Sequence, residues 1–265
     1  MSTVTAPPAL ALDAEEITVQ FGGLIAVDNV SFTVPEGGIV SLIGPNGAGK
    51  TTFFNALTGL YKAKSGIVRL GGANITGLSP SKIASYGLAR TFQNIRLFGL
   101  MTAEENVKVA MHSHLKSGVW RTVLRSPGQR REEHAATTTA RELLEFVGIG
   151  PTADEYARNL SYGDQRRLEV ARALALRPRV LLLDEPTAGM NPRESAEFVE
   201  FVRRVRDEKQ VSVLLIEHDM SVVMRVSERI TVLDRGQKIA EGLPEEIKSN
   251  ERVVEAYLGK GRGEV

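Results

Sequence analysis

The chain has 265 residues, of which 25% are charged, and its 33 Lys and Arg against 32 Asp and Glu leave a formal net charge of +1. So even a balance offers no broad positive field for gripping a phosphodiester backbone, and nucleic acid is not expected as a partner. The lack of cysteine removes disulfides, thiolate chemistry and cysteine-ligated metal centres, and four histidines are a thin supply for any other metal site.

Residues 1–14 contain no early Lys or Arg and no long apolar core, so they predict a flexible tail, not a secretion signal. Residues 17–21 and 30–34 alternate as half-buried strands, with Gly22-Gly23 and Pro35-Glu36-Gly37-Gly38 as turn punctuation. Residues 39–43, 180–183 and 213–216 are nearly continuous apolar runs, as expected of central parallel strands covered on both faces. None approaches the roughly 18 apolar residues of a membrane span, so any membrane role is peripheral.

The first of these strands runs into Gly44-Pro45-Asn46-Gly47-Ala48-Gly49-Lys50-Thr51-Thr52, which fits G-x-x-x-x-G-K-[ST]. Its glycines let the backbone turn so that N–H groups point at phosphate oxygens. A helix predicted from near Gly49, carrying Phe53, Phe54, Ala56 and Leu57, adds the partial positive charge of its first turn. Lys50 is expected at the β- and γ-phosphates of a nucleoside triphosphate, and the Thr51 hydroxyl at Mg2+.

A helical region follows. Thr102-Ala103-Glu104-Glu105 predicts a capping box, then a helix with Ala103, Val107, Ala110 or Met111, and Leu115 on one face. Ala136, Ala140, Leu143, Leu144 and Val147 predict a second helix closed by Gly148. This places an inserted helical subdomain at about 91–176. Its basic residues Lys116, Trp120, Arg121, Arg125, Arg130 and Arg131 read as a solvated face in preference to a lipid or nucleic-acid surface, and the lone pair His112 and His114 predicts no metal.

The run Leu160-Ser161-Tyr162-Gly163-Asp164-Gln165 has no evident task inside its own subunit and reads as half of a shared site. Strand 180–183 ends in Asp184 and Glu185, whose side chains are expected on opposite faces. Asp184 then holds Mg2+ through water, while Glu185 accepts a proton from the water attacking the γ-phosphate. His218, at the end of strand 213–216, is expected to contact the γ-phosphate and orient Glu185 and that water, and Gln93 to complete the Mg2+ and water shell. Asn191-Pro192 opens a helix with Phe198, Val202 and Val205 inward; Asp234-Arg235-Gly236-Gln237 turns a hairpin; Pro244 opens a last helix; residues 259–265 are a second tail, leaving 15–258 as a single domain.

In order and spacing these residues resemble the ATP-binding subunits of ABC transporters, from Ile17 nearly to Gly259. The resemblance implies the α/β fold class: an ABC-type P-loop NTPase core with a mainly parallel sheet, an antiparallel β subdomain and the inserted helical subdomain. It implies ATP and Mg2+ as ligands. In family terms residues 44–52 look like Walker A, Gln93 the Q-loop, residues 160–165 the signature, 180–185 Walker B, 188–192 the D-loop, and His218 the switch histidine. ATP on one subunit is then covered by Ser161 and Gly163 of a second ABC ATPase in a head-to-tail dimer. Phe21 stands where a tyrosine often stacks on adenine, ordinary core packing being its alternative. Tyr162 and Asp164 depart from the usual L-S-G-G-Q, with Tyr162 expected to point away from phosphate, and Met190 replaces a leucine.

Within the family the chain is most similar to the ATPases of branched-chain amino-acid importers, through Phe21-Gly22-Gly23-Leu24, residues 89–98, Tyr162, residues 188–192 and residues 256–259. This likeness implies two transmembrane permease subunits, an extracytoplasmic solute-binding protein, and a place on the cytoplasmic face of the inner membrane. Relatives that carry urea, amides or lipopolysaccharide, and soluble ABC ATPases acting on nucleic acid or the ribosome, are the alternatives. Ile95, Leu97, Phe98 and Met101 either receive a short helix of a permease or pack internally.

Overall fold

The computed structural model describes residues 9–111 and 127–258. The expectations for residues 1–8 and 259–265, for His112, His114 and Leu115, for Lys116, Trp120, Arg121 and Arg125, and for the Arg130 side chain lie outside what it describes.

The chain opens on β1 (Leu10–Phe21) and β2 (Leu24–Pro35), an antiparallel pair joined at Gly22-Gly23. β1 also pairs antiparallel with β4 (Ser65–Leu70), and β5 (Ala73–Asn74) completes a four-stranded sheet in the order β2-β1-β4-β5. The tail expected over residues 1–14 is therefore corrected from Leu10 onward. Leu12 and Ala14 are fully buried and face Val34 and Phe32 on one side and Leu70 and Val68 on the other. Leu and Ala have little strand preference of their own, so this segment is extended only because two neighbours supply its hydrogen bonds and packing.

The second sheet holds β3 (Ile39–Ile43), β6 (Leu88–Arg90), β7 (Val180–Asp184), β8 (Ser212–Ile216), β9 (Arg229–Asp234) and β10 (Gln237–Gly242), in the order β10-β9-β3-β8-β7-β6. Pairing is parallel at β9–β3, β3–β8 and β8–β7, and antiparallel at the β9–β10 hairpin. Every residue of β3, β7 and β8 is buried, as a two-face-covered strand requires. Helix α1 (Lys50–Leu57) drives Phe53 and Phe54 into the cluster that joins the two sheets, with Ile17, Val30 and Phe32 from one and Leu42, Val180 and Leu214 from the other. Deep burial of two aromatic rings immediately after the phosphate loop makes the position of that loop a property of the core.

A short helix α2 (Pro80–Tyr86), closed by left-handed Gly87, has too few turns to show a periodicity in sequence. Helix α6 (Pro192–Lys209) buries Phe198, Val202 and Val205, and α7 (Met220–Val226) packs beside it. The single last helix expected from Pro244 is two: α8 (Pro244–Lys248) and α9 (Glu251–Leu258). The break falls at Asn250, whose Oδ1 accepts from the Arg252 and Val253 amides and so caps a new helix.

Residues Ala89–Pro178 form a separate compact unit. Among its described residues lie the helices α3 (Ala103–Met111), α4 (Pro127–Phe146) and α5 (Tyr162–Ala175). The Thr102 capping box is present: the Glu105 amide donates to Thr102 Oγ1 at 3.1 Å, and the Thr102 amide to Glu105 Oε2 at 2.8 Å. Ala103, Val107, Ala140, Leu144 and Val147 are buried within this unit. The buried amide of Asn106 is an addition to the expected apolar face; it donates to the carbonyls of Phe98, Met101 and Thr102 and accepts from the Phe98 amide, fixing the turn ahead of α3.

Asn191 caps α6 through Oδ1, which accepts from the Arg193 and Glu194 amides at 3.0 Å each, and Glu194 returns a bond to the Asn191 amide at 2.8 Å. Asn191→Ala is expected to lower unfolding free energy by about 1 kcal/mol. The measurement is a urea titration, in which the midpoint falls at unchanged slope.

Candidate nucleotide site

The phosphate loop leaves β3 at Ile43 and is held from behind. A Cβ on Gly44 would lie 2.1 Å from the Leu233 carbonyl oxygen, and one on Gly49 2.6 Å from that of Ala26, so backbone approach as well as positive φ demands glycine at both. The Gly236 amide, in the β9–β10 turn, donates to the Ala48 carbonyl at 2.9 Å, and the Gly236 carbonyl accepts from the Asp28 amide at 2.8 Å. By contrast Gly47, with φ of 79°, has nothing within 4 Å of its would-be Cβ and lies on the open side of the loop with exposed Asn46. Pro45 and Thr52 are partly buried, and Thr51 is exposed at the start of α1.

The N-cap of α1 is Gly49, which brings no side chain to satisfy the first-turn amides. A helix start without a side-chain cap presents those donors and its positive dipole end to an anion. Lys50 is only 8% exposed and donates to the carbonyls of Gly44 at 2.6 Å and Pro45 at 3.1 Å. Burial lowers the pKa of its ammonium, against the opposing pull of the Glu185 and Asp184 carboxylates. A desolvated cation this close to a row of amides is stabilised by polyphosphate.

The two acids at the end of β7 are not related by strand alternation. The strand ends at Asp184, and Glu185 adopts φ of 46°, a left-handed conformation seldom taken by a non-glycine residue. Its amide is tied to the Ile216 carbonyl at 2.9 Å. Asp184 stays buried at the strand end while Glu185 turns toward the end of β8, where His218 Nδ1 lies 3.7 Å from Glu185 Oε2. The carboxyl ends of three parallel strands thus bring together Lys50, Asp184, Glu185 and His218, the edge at which open α/β sheets place their ligands.

Phe21 is 45% exposed at the end of β1, which removes the core-packing alternative. Its ring meets Tyr61 edge-on with centroids 5.1 Å apart. Nothing in the sequence marks the contacts that Tyr61, Tyr257 and Glu217 make. The Tyr257 hydroxyl of α9 accepts from the Gly44 amide, while burial pushes its phenol up. Glu217 is a fully buried carboxylate beside His218. An acid in an apolar run carries no periodic signal.

Gln93, Ser161 and Gly163 belong to the second unit. Ser161 caps α5: its hydroxyl accepts from the Asp164 amide at 3.1 Å and donates to Asp164 Oδ2 at 2.7 Å. The Cβ of an alanine at 163 would meet nothing closer than Ser161 Oγ at 4.0 Å, so the local fold does not require glycine there. Tyr162 is half exposed and its hydroxyl accepts from Arg166 Nη2 at 2.9 Å, one turn along α5. Arg166 in turn donates to the carbonyls of Phe92 at 2.7 Å and Gln93 at 2.5 Å, and Glu169 accepts from the Phe92 and Arg96 amides. Burial raises the Glu169 carboxyl pKa against those amides and Arg166. The Gln93 loop is thus bolted to the helix that begins at Ser161, a link no local motif announces. Among the expected docking residues, Phe98 is exposed, and Leu100 beside it is more so.

The family model described as ABC transporter matches residues 27–188, and one described as branched-chain amino acid ATP-binding cassette transporter matches residues 237–262. The chain is 48% identical over 249 residues to the high-affinity branched-chain amino acid transport ATP-binding protein BraF of Pseudomonas aeruginosa, covering 94% of this chain and 98% of BraF. It is 48% identical over 253 residues to LivG of Salmonella typhimurium, which carries the same description, covering 96% and 98%. Among solved structures, an ATP-binding cassette of an ABC transporter in its ADP conformation superposes with a TM-score of 0.81 at 30% identity, covering 95% of this chain and 99% of that one. With a phosphate loop, paired acids and histidine assembled on this α/β core, the chain belongs to the ATP-binding subunits of ABC transporters and binds and hydrolyses ATP.

Proposed function

We propose that the chain powers a branched-chain amino-acid importer by clamping ATP between two ATPase subunits and separating after hydrolysis. What supports the dimeric reading is a second helix start besides that of α1 behind the phosphate loop: α5, with Gly163 where the fold leaves room for a side chain. A triphosphate held by Gly44, Pro45, Asn46, Gly47, Ala48, Gly49, Lys50, Thr51 and Thr52 of one subunit is covered by Ser161 and Gly163 of the other, and Phe21 with Tyr61 takes the adenine face. To reach a phosphate, the Ser161 hydroxyl turns its hydrogen away from Asp164.

Hydrolysis needs a base, and Glu185 takes the proton of the water that attacks the γ-phosphorus, with His218 orienting the carboxylate and the γ-phosphate. Among the described residues no group of three His, Asp or Glu side chains suits a metal on its own. Mg2+ would be held by Thr51 and, through water, by Asp184, with Gln93 completing its shell, oxygen donors that suit a small hard cation. When bound, the ion neutralises charge on the phosphates.

Near-half identity over almost the full length of BraF and LivG supports the cargo reading, together with two permease subunits and an external solute-binding protein as partners. No described helix is long and apolar enough to cross a membrane, which fits attachment to permeases at the cytoplasmic face. Disrupting the gene in its native host and measuring radiolabelled leucine uptake tests this: high-affinity uptake is expected to vanish. Retained leucine uptake with loss of urea or amide uptake would reassign the cargo.

A further inference from the structure

Glu217 is 0% exposed, and the catalytic scheme leaves it idle. A buried carboxylate costs desolvation that an apolar side chain at the end of β8 would avoid, so its presence calls for compensating bonds. It has four. Oε1 accepts from the Thr187 amide at 2.9 Å and the Thr187 hydroxyl at 2.5 Å; Oε2 accepts from the His218 amide at 3.1 Å and the Asp219 amide at 3.4 Å. One side chain thus spans the turn that follows Glu185 and the turn that carries His218. The His218 Nδ1 sits between two acids, 3.7 Å from Glu185 Oε2 and 3.9 Å from Glu217 Oε2.

We infer that Glu217 is a positioning residue for ATP hydrolysis, stapling the Glu185 turn to the His218 turn so that base and histidine keep their spacing. The inference rests on the roles proposed above for Glu185 and His218. Two features make the staple selective. Thr187 lies two residues beyond Glu185, so its bonds to Oε1 set the distance of the Glu185 turn from the His218 turn. The His218 and Asp219 amides lie at the start of α7, so Oε2 also fixes where that helix begins. Gln at 217 keeps the shape but presents an NH2 where an oxygen stood. Toward His218 it faces two N–H donors; toward Thr187 the hydroxyl can turn to accept, but the Thr187 amide loses its acceptor.

The test compares Glu217→Gln, His218→Ala and the double variant in the full chain, with ATP turnover and ATP dissociation constant measured for each. Glu217→Gln is expected to lower kcat about tenfold, as lost orientation of a catalytic group does. ATP affinity should stay within about twofold, because the four bonds of Glu217 run to Thr187, His218 and Asp219 and not to the phosphate loop. The double variant should be no slower than His218→Ala alone within about twofold. An unchanged kcat, a weakened affinity that accounts for the loss, or a double variant slowed by the product of both factors would each overturn the inference. Should Glu217→Gln not fold, Thr187→Val, which removes one donor only, is expected to slow wild type by a few-fold and leave His218→Ala unaffected; a wild-type rate overturns it. A fully active His218→Ala sinks the underlying reading of the histidine, whereas a slow His218→Ala with a multiplicative Glu217→Gln sinks the staple alone.

Discussion

Glu185→Gln is expected to cut ATP turnover by about 100- to 10,000-fold, the range for loss of a general base. ATP binding should survive. The amide has the shape of the carboxylate and preserves the left-handed turn, whose amide bond to Ile216 does not involve the side chain. It cannot take a proton from water. Binding energy then closes the dimer while the step that reopens it is blocked, so a population shift toward the closed form follows. Size-exclusion chromatography with Mg2+ and ATP should show a dimer for the variant and mostly monomer for the wild type after turnover. Undiminished turnover would remove Glu185 from its role, and a variant that stays monomeric with ATP bound would remove the dimer.

Lys50→Ala is the second large effect, and it falls on binding. The ammonium is desolvated and held at the loop by the Gly44 and Pro45 carbonyls, with Glu185 and Asp184 close enough to oppose the lowering of its pKa. Removing it takes one or two charge-assisted bonds from the triphosphate, worth about 1.5–3 kcal/mol each, or at least about tenfold in ATP affinity. It also takes away the ammonium whose charge opposes the Glu185 and Asp184 carboxylates. Isothermal titration with ATP in the presence of Mg2+ measures this directly. An unaltered dissociation constant would mean that the loop holds something other than a triphosphate.

Much of the site was legible because its signals are short-range. The run 44–52 carries its own backbone requirement, and the continuous apolar strands 39–43, 180–183 and 213–216 announce burial on both faces. Capping residues such as Thr102 with Glu105, and Asn191 with Glu194, satisfy amides within one turn and so can be read from spacing. What stayed hidden depends on partners far along the chain. Strand β1 begins at Leu10 because β2 and β4 flank it, and α9 starts afresh because Asn250 prefers to cap. Arg166, Glu169, Glu217 and Tyr257 each act on a loop remote from them in sequence or across a turn, and nothing periodic marks them.

Residue order alone therefore pointed to an ATP-binding cassette: a phosphate-loop motif, the acids that end a buried strand, and a second helix start read as half of a shared site. These follow from backbone conformation and burial patterns within a few residues. Where Glu185 points, which carboxylate ties its turn to His218, and what holds the phosphate loop from behind were decided only by the packing of β3, β7, β8 and the β9–β10 turn side by side. A left-handed residue and a shared buried acid are consequences of strands meeting in space, and their separation in sequence leaves no trace of the meeting.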